Sequence, residues 1–197
     1  MGKGEQTRAD ILSLALGQAS QLGLEGLSIG NLARELGMSK SGLFAHFGSK
    51  AGLQQQVLAL AAQRFGREIV LPALSLARGE PRVVALFENW LSWNASKDLP
   101  GGCLFVSTAM ELDARPGPVR DLLEARLGQW LQTLERAAGI AVEEGHFRAD
   151  LDPRLFAFQL HSLTLGFHVQ AGLFETPDAL SLARRAFAEL LTASRVA

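Results

Sequence analysis

Between positions 28 and 50 the chain gathers hydroxyls, cations, an imidazole and an aromatic ring at spacings that suit contact with a polyanion: Ser28, Ser39, Lys40, Ser41, Phe44, His46 and Lys50. Hydroxyl, ammonium and imidazole groups are the donors that meet phosphate oxygens and base edges, and an aromatic ring can pack on a sugar or a thymine methyl. Lys50 stands out because it falls in the first turn of an expected helix, where a cation opposes the helix dipole at a cost of about 0.3–1 kcal/mol. A phosphate held there by free amides, the dipole and the ammonium together would offset that cost, which makes Lys50 a candidate backbone clamp. The same residues have plainer uses: Ser28 and Ser39 as helix caps, His46 as the fastening of a helix end, Lys50 as a solvated lysine.

Other chemistries are poorly supported. Glu111, Asp113, Glu143, Glu144 and Asp150 are scattered near helix ends without a metal-ligand pattern, and no nucleophile stands beside a base, so neither a catalytic site nor a metal or cofactor is expected. A DNA-acting enzyme is thereby disfavoured. Cys103 is the single cysteine, which excludes an intrachain disulfide framework and a multi-thiolate zinc site and suits a reducing compartment. After its Gly-Gly loop it could be a sensor thiol, but no basic cluster flanks it to lower its pKa, and a small buried residue at a helix start is the simpler use. The net charge of −1 means that any contact with nucleic acid must be local. Residues 1–50 are only slightly basic, with Lys3, Arg8, Arg34, Lys40 and Lys50 against Glu5, Asp10, Glu25 and Glu35. The polar N-terminus lacks the apolar core of a signal peptide, and no apolar run approaches the roughly 20 residues that span a bilayer. A soluble cytoplasmic protein with no membrane partner is expected.

The elements that must position these residues are helices. Periodicity near 3.6 dominates all 197 residues, and no alternating strand pattern is evident. Ile11, Leu14, Ala15, Ala19 and Leu22 trace a first helix ending at Gly23. Ser28 caps a second in which Ile29, Leu32, Ala33 and Leu36 form the apolar stripe until Gly37. Ser39 caps a third, to about His46, with Met38 and Leu43 spaced as a hydrophobic staple. Gly48-Ser49 then breaks and caps a fourth helix, which Pro72 should end or kink. Two short helices about a glycine turn are the arrangement in which the second can enter a major groove.

The stretch from Leu27 to Lys50 resembles the DNA-binding domain of the TetR family. That family has a Thr-Arg pair leading into its first helix and a Gly-Val-Ser turn leading to Leu-Tyr-x-His-Phe-x-Ser-Lys. The matches are Thr7-Arg8, Gly37-Met38-Ser39 and Leu43-Phe44-Ala45-His46-Phe47-Gly48-Ser49-Lys50. One departure is Phe44, which stands where the family commonly has tyrosine in a chain that has no tyrosine at all. The phenolic hydrogen bond to phosphate is therefore missing, and Phe44 can offer only apolar contact.

The resemblance implies an all-α fold: a three-helix helix-turn-helix domain over 1–50 and a helical effector-binding and dimerisation domain over 51–197. It further implies a homodimer on a pseudo-palindromic operator, acting as a repressor released by a small molecule. The same fold without an effector, governed by abundance or a protein partner, is the alternative. In the second domain, segments over 83–96, 103–112 and 119–144 read as amphipathic helices, and Asp152-Pro153 and Thr176-Pro177 each place a cap before a proline that can begin a helix. Phe87, Trp90, Trp93, Asn94, Cys103, Phe105, Met110, Trp130, His161 and His168 mix apolar wall with polar handles and are the candidate pocket, suiting an apolar or aromatic ligand. The penultimate helix is apolar nearly all round and so needs cover on more than one side. Phe156, Leu160, Leu163 and Phe167 on it, with Ala183, Phe187 and Leu190 on the last helix, are therefore the expected four-helix contact between subunits.

Overall fold

The computed structural model describes residues 2–196; Met1 and Ala197, the outer ends of the two expected domains, lie outside the described residues, as does the side chain of Lys3. By contact the chain divides into two compact units, each drawn from two stretches of sequence. The first joins the N-terminal stretch up to Arg64 with Ser96–Ala125, and the second joins Phe65–Ala95 with the stretch from Arg126 to the C-terminus. This division follows a different line from a cut at residue 50. Among the described residues the structure is helical, and its only extended pairing is an isolated bridge between Phe147 and Arg195.

In the first unit, α1 (Lys3–Leu22) turns Ile11, Ala15, Leu16 and Ala19 inward and stops at Gly23, whose φ of 78° suits a residue without a Cβ. Helices α2 (Ile29–Glu35) and α3 (Lys40–Phe47) follow, and Leu32, Ala33, Leu43 and Phe47 are their buried side chains. Helix α4 (Lys50–Phe65) starts at Ser49, whose Oγ accepts from Gly52 N at 2.9 Å, and buries Leu53, Val57, Leu58 and Ala61. Helix α7 (Leu104–Leu112) also belongs to this unit and packs on α1. The helix ends and caps expected up to residue 50 are found within a residue or two, but Leu22, placed on the first apolar stripe, is 61% exposed.

Pro72 does not end the helical path. A π turn over Gly66–Val70 comes before it, and the chain continues through α5 (Leu71–Leu74). The wider π turn falls where proline's missing N–H leaves the α-helical ladder incomplete, so the irregularity lies ahead of the proline and not at it.

The second unit holds α5, α6 (Glu80–Asn94), most of α8 (Pro118–Glu143), α9 (Pro153–Gly172) and α10 (Ala179–Ser194). Helix α9 begins as expected, with Asp152 accepting from the amides of Arg154 and Leu155. Helix α10 does not begin at Thr176-Pro177. The Thr176 hydroxyl is spent on Gln170 Oε1 at 2.7 Å, Glu175 turns to a φ of 48°, and the first helical residue is Ala179. The core is aromatic: Phe87 of α6 stacks on Phe187 of α10 with centroids 4.1 Å apart, Trp90 meets Phe167 edge-on, and Phe147 meets Phe156. Arg184 of α10 grips both carboxylate oxygens of Glu88, tying the same two helices at the rim.

This core corrects the expected subunit contact. Phe156, Leu160, Phe167, Ala183 and Phe187 are buried inside the chain's own second unit, while Leu163 and Leu190 are half-buried. The apolar residues that α9 and α10 leave in water are others: Leu155, Phe158, Val169, Leu180 and Leu182. Helix α9 is apolar on two faces, and the packing of α6 and α10 has taken the one assigned to the partner.

Candidate functional site

The α2–turn–α3 segment is fixed by its own hydrogen bonds. Ser28 Oγ accepts from Asn31 N and Ser39 Oγ from Gly42 N at 3.0 Å, so both serines satisfy amides that a helix start leaves open. Between the helices Gly37 takes a φ of 63°, and Met38 N donates to Ala33 O at 2.8 Å, closing the turn. With Leu43 and Phe47 turned inward, α3 presents Lys40, Ser41 and Phe44 to solvent, alongside Ser39 at its cap, and leaves His46 half-buried at its end. Phe44 is 49% exposed, so its ring is free to cover apolar surface on a partner. Ser39 and Ser41 share a hydroxyl contact at 3.2 Å, and the Lys40 stem lies against Gly30, where a Cβ would come within 3.0 Å of Cε. The face is exposed and its helix is capped at the start, an arrangement suited to reading a major groove.

Lys50 is not without company. Its Nζ donates to the Glu25 carbonyl at 2.6 Å and lies 3.7 Å from Glu25 Oε2, so the offset to its unfavourable place on the helix dipole exists within the chain. Glu25 is itself the centre of a junction that sequence reasoning missed. Gln54 Nε2 donates to its carboxylate at 2.9 Å, Arg115 stands 3.7 Å away, and Glu111 of α7 accepts from its backbone N–H at 3.0 Å. Gly23 leaves the room that the Glu111 carboxylate occupies. No spacing in the sequence relates positions 25, 50 and 111–115; only the fold brings them together.

The residues named as pocket lining are divided between the two units. Cys103, Phe105 and Met110 belong to the first unit: Cys103 is the buried N-cap of α7, Phe105 is buried two residues on, and Met110 is 67% exposed. Phe87, Trp90, Trp93, Asn94, Trp130, His161 and His168 belong to the second. There His168 Nδ1 sits 2.8 Å from Asn94 Oδ1, joining α9 to α6. Burial pushes the imidazoles of His161 and His168 below their ordinary pKa and favours the neutral rings. Trp93 and Trp130 both meet the ring of Phe65 edge-to-face, with centroids 5.7 and 5.0 Å away. Their indole nitrogens are buried and have no hydrogen-bond partner, and Arg126 Nε, one turn before Trp130, is in the same condition. Sequence reasoning passed over Phe65 and Arg126, although a lone arginine within the apolar stripe of α8 was a visible sign.

Among the described residues no group of three histidine, cysteine or acidic side chains is placed to hold a metal, and no helix is long and apolar enough to cross a membrane.

Residues 11–57 match the family described as bacterial regulatory proteins, tetR family, and residues 79–187 match the tetracyclin repressor-like C-terminal domain. No curated protein matches the chain. Among solved structures, a TetR transcriptional regulator from Chloroflexus aurantiacus is 24% identical, with full coverage of both chains and a TM-score of 0.87. A transcriptional regulator from Saccharomonospora viridis in complex with choline is 22% identical over 98% of this chain and 99% of its own, with a TM-score of 0.85. AibR in complex with isovaleryl coenzyme A and operator DNA is 21% identical over 95% of this chain and 98% of its own, with a TM-score of 0.74.

Proposed function

The chain belongs to the TetR family of bacterial regulatory proteins, and we propose that within it this regulator is a repressor, a homodimer that occupies a pseudo-palindromic operator and is released by a small apolar or aromatic effector. It is a DNA-binding transcriptional regulator and not an enzyme. The observation that carries the DNA reading is the α3 face: Ser39, Lys40, Ser41 and Phe44 all face water on a short helix whose other side is locked into the first unit. Lys40 and Ser41 read base edges, Phe44 covers apolar surface in the groove, and Ser28, Ser39, His46 and Lys50 hold the backbone. With Phe44 in place of a phenol and a nearly neutral head, one copy grips weakly. Useful affinity then requires both heads, whose recognition helices must lie about 34–36 Å apart to meet successive turns of one DNA face.

Dimerisation in this reading uses the apolar surface that α9 and α10 expose, with Leu155, Phe158 and Val169 on one helix and Leu182 on the other. On the α9 strip, Gly166 has open space where a Cβ would stand, which allows close approach of a second helix. The effector acts by linkage: it releases DNA only if it and the operator favour different separations of the two heads. A single buried cysteine suits a reducing cytoplasm, where the operator is.

Selection from random duplexes with the full-length protein tests the reading. The enriched sites should be inverted repeats with half-site centres about 10 base pairs apart or a multiple of that. A compound panel should then contain molecules that dissociate the complex. Enrichment of single half-sites, or none, would overturn the dimeric reading of DNA. Full occupancy across the panel would favour control by abundance or a protein partner.

A further inference from the structure

Solved relatives of this fold hold ligands as unlike as isovaleryl coenzyme A and choline, so the chemistry of an effector has to be sought in this chain's own side chains. Three buried nitrogens of the second unit have hydrogen to give and nothing to receive it: Trp93 Nε1, Trp130 Nε1 and Arg126 Nε. The two tryptophans are nearly sealed, with 4% and 6% of their surface exposed. Arg126 donates from Nη1 to Gln129 Oε1 and forms no ion pair among the described residues. Arg126 and Trp130 lie one turn apart on α8, on one face, while Trp93 on α6 meets Trp130 across the shared Phe65 ring. Buried polar groups are nearly always satisfied, and three orphans, two on rings that pack against Phe65 and the third one turn away along α8, are a departure that needs a cause.

The imbalance has a sign. Among the described residues the one other buried side-chain orphan, the Thr108 hydroxyl, belongs to the first unit. Every orphan of the second unit is an N–H, and one of the three carries a positive charge. An aromatic face is at best a weak acceptor for an N–H. A carboxylate, by contrast, brings two oxygens with about four lone-pair sites and the opposite charge.

We infer that the effector of this regulator is an apolar acid whose carboxylate is received by the indole N–H groups of Trp93 and Trp130 and by the Arg126 guanidinium, in the place the Phe65 ring now occupies. Phe65 is half-buried and stands directly before the π turn of Gly66–Val70, a point where the helix already departs from regular geometry. Its displacement opens both indoles at once, and the remaining aromatic walls receive the hydrocarbon part of the acid. The inference rests on the reading that the second unit takes an effector, and it names that effector's chemical class.

The test is calorimetric titration of the full-length protein with straight-chain alkanoates and phenylalkanoates of four to twelve carbons, each paired with the alcohol of equal length. The acids should bind about ten-fold or more tightly than their alcohols, the ratio expected when charge-assisted hydrogen bonds are lost. Trp93→Phe and Trp130→Phe keep a ring in place and should each weaken acid binding about ten-fold and alcohol binding by clearly less, so that the acid-to-alcohol ratio narrows. In ¹⁵N-labelled protein the indole N–H resonances of Trp93 and Trp130 should move on adding acid, with Trp90 as the internal reference. Equal binding of acid and alcohol, acid binding indifferent to both substitutions, or no binding by any acid in the series would overturn the inference. Operator release by neutral apolar molecules alone would overturn it and leave the repressor reading standing. Acid binding through these nitrogens without release of the operator would do the reverse.

Discussion

Lys50→Ala separates a lysine that holds DNA from one that only closes a loop. In the free protein the ammonium is engaged by the Glu25 carbonyl at 2.6 Å and by its carboxylate at 3.7 Å, with the two side chains 45% and 42% exposed. A pair this open to water is worth about 0–1 kcal/mol, so a phosphate can take the ammonium over at small cost. If it does, each head contributes one phosphate contact, and each such contact adds about 0.9 to the slope of log affinity against log salt. Removing Lys50 from both heads of a dimer should therefore flatten the slope by about 1.8. Between 50 and 200 mM salt the wild type should then lose about 12-fold more affinity than the variant. Fluorescence anisotropy on a labelled operator across that range reads the difference directly. Glu25→Gln is the control: it removes the competing carboxylate but keeps the carbonyl, and should leave the slope unchanged. Parallel lines for wild type and Lys50→Ala would refute the clamp and leave Lys50 as a structural tie to Glu25.

Other outcomes follow from burial. Phe187→Ala empties a stacked, fully enclosed site opposite Phe87 and should cost about 3–5 kcal/mol in denaturant unfolding; unchanged stability with a shift to monomer would return Phe187 to a subunit contact. Phe158→Glu, at a site 67% exposed, should instead leave the fold intact and give a monomer in analytical ultracentrifugation, and a dimer of wild-type affinity would move the interface off this face. His161 and His168 are depressed in the folded state by burial, so the unfolded chain takes up protons first. Their contribution is present above the unfolded value of 6.5 and is lost as pH falls through the lower folded values, so unfolding midpoints should drop below about pH 6.5. Replacing both by glutamine should remove that part of the drop.

The reading head was legible because its determinants are local. Ser28, Ser39 and Ser49 each bond an amide three residues on, and the stripes that meet across Gly37 lie within one short stretch of chain. Which apolar face of α9 stays exposed was not legible, for a reason visible in two neighbours: Phe156 and Phe158 are the same residue type two positions apart on α9, yet one is 1% and the other 67% exposed. A helix apolar all round announces that it has two partners; which side faces the chain's own core is decided by α10, the next helix, and by α6, far back in the sequence. Thr176-Pro177 failed for a related reason. The Thr176 hydroxyl donates to Gln170 on the preceding helix, and Glu175 turns to a φ of 48° before the helix starts at Ala179, neither of which the Thr-Pro pair announces.

Arg126 shows where composition and packing together say more than either alone. In the sequence it interrupts the apolar stripe of α8, a position at which a long side chain usually runs its stem over apolar surface and keeps its charge in water. In the fold its Nε is sealed and unanswered, one turn from an equally unanswered indole. Arg126 is half-buried: its Nη1 reaches Gln129 at the surface, and Nε alone is sealed. An arriving acceptor would answer that Nε together with the indole N–H groups of Trp93 and Trp130. The charge that looked like a flaw in the amphipathic pattern is thus the residue from which the effector's own charge can be read.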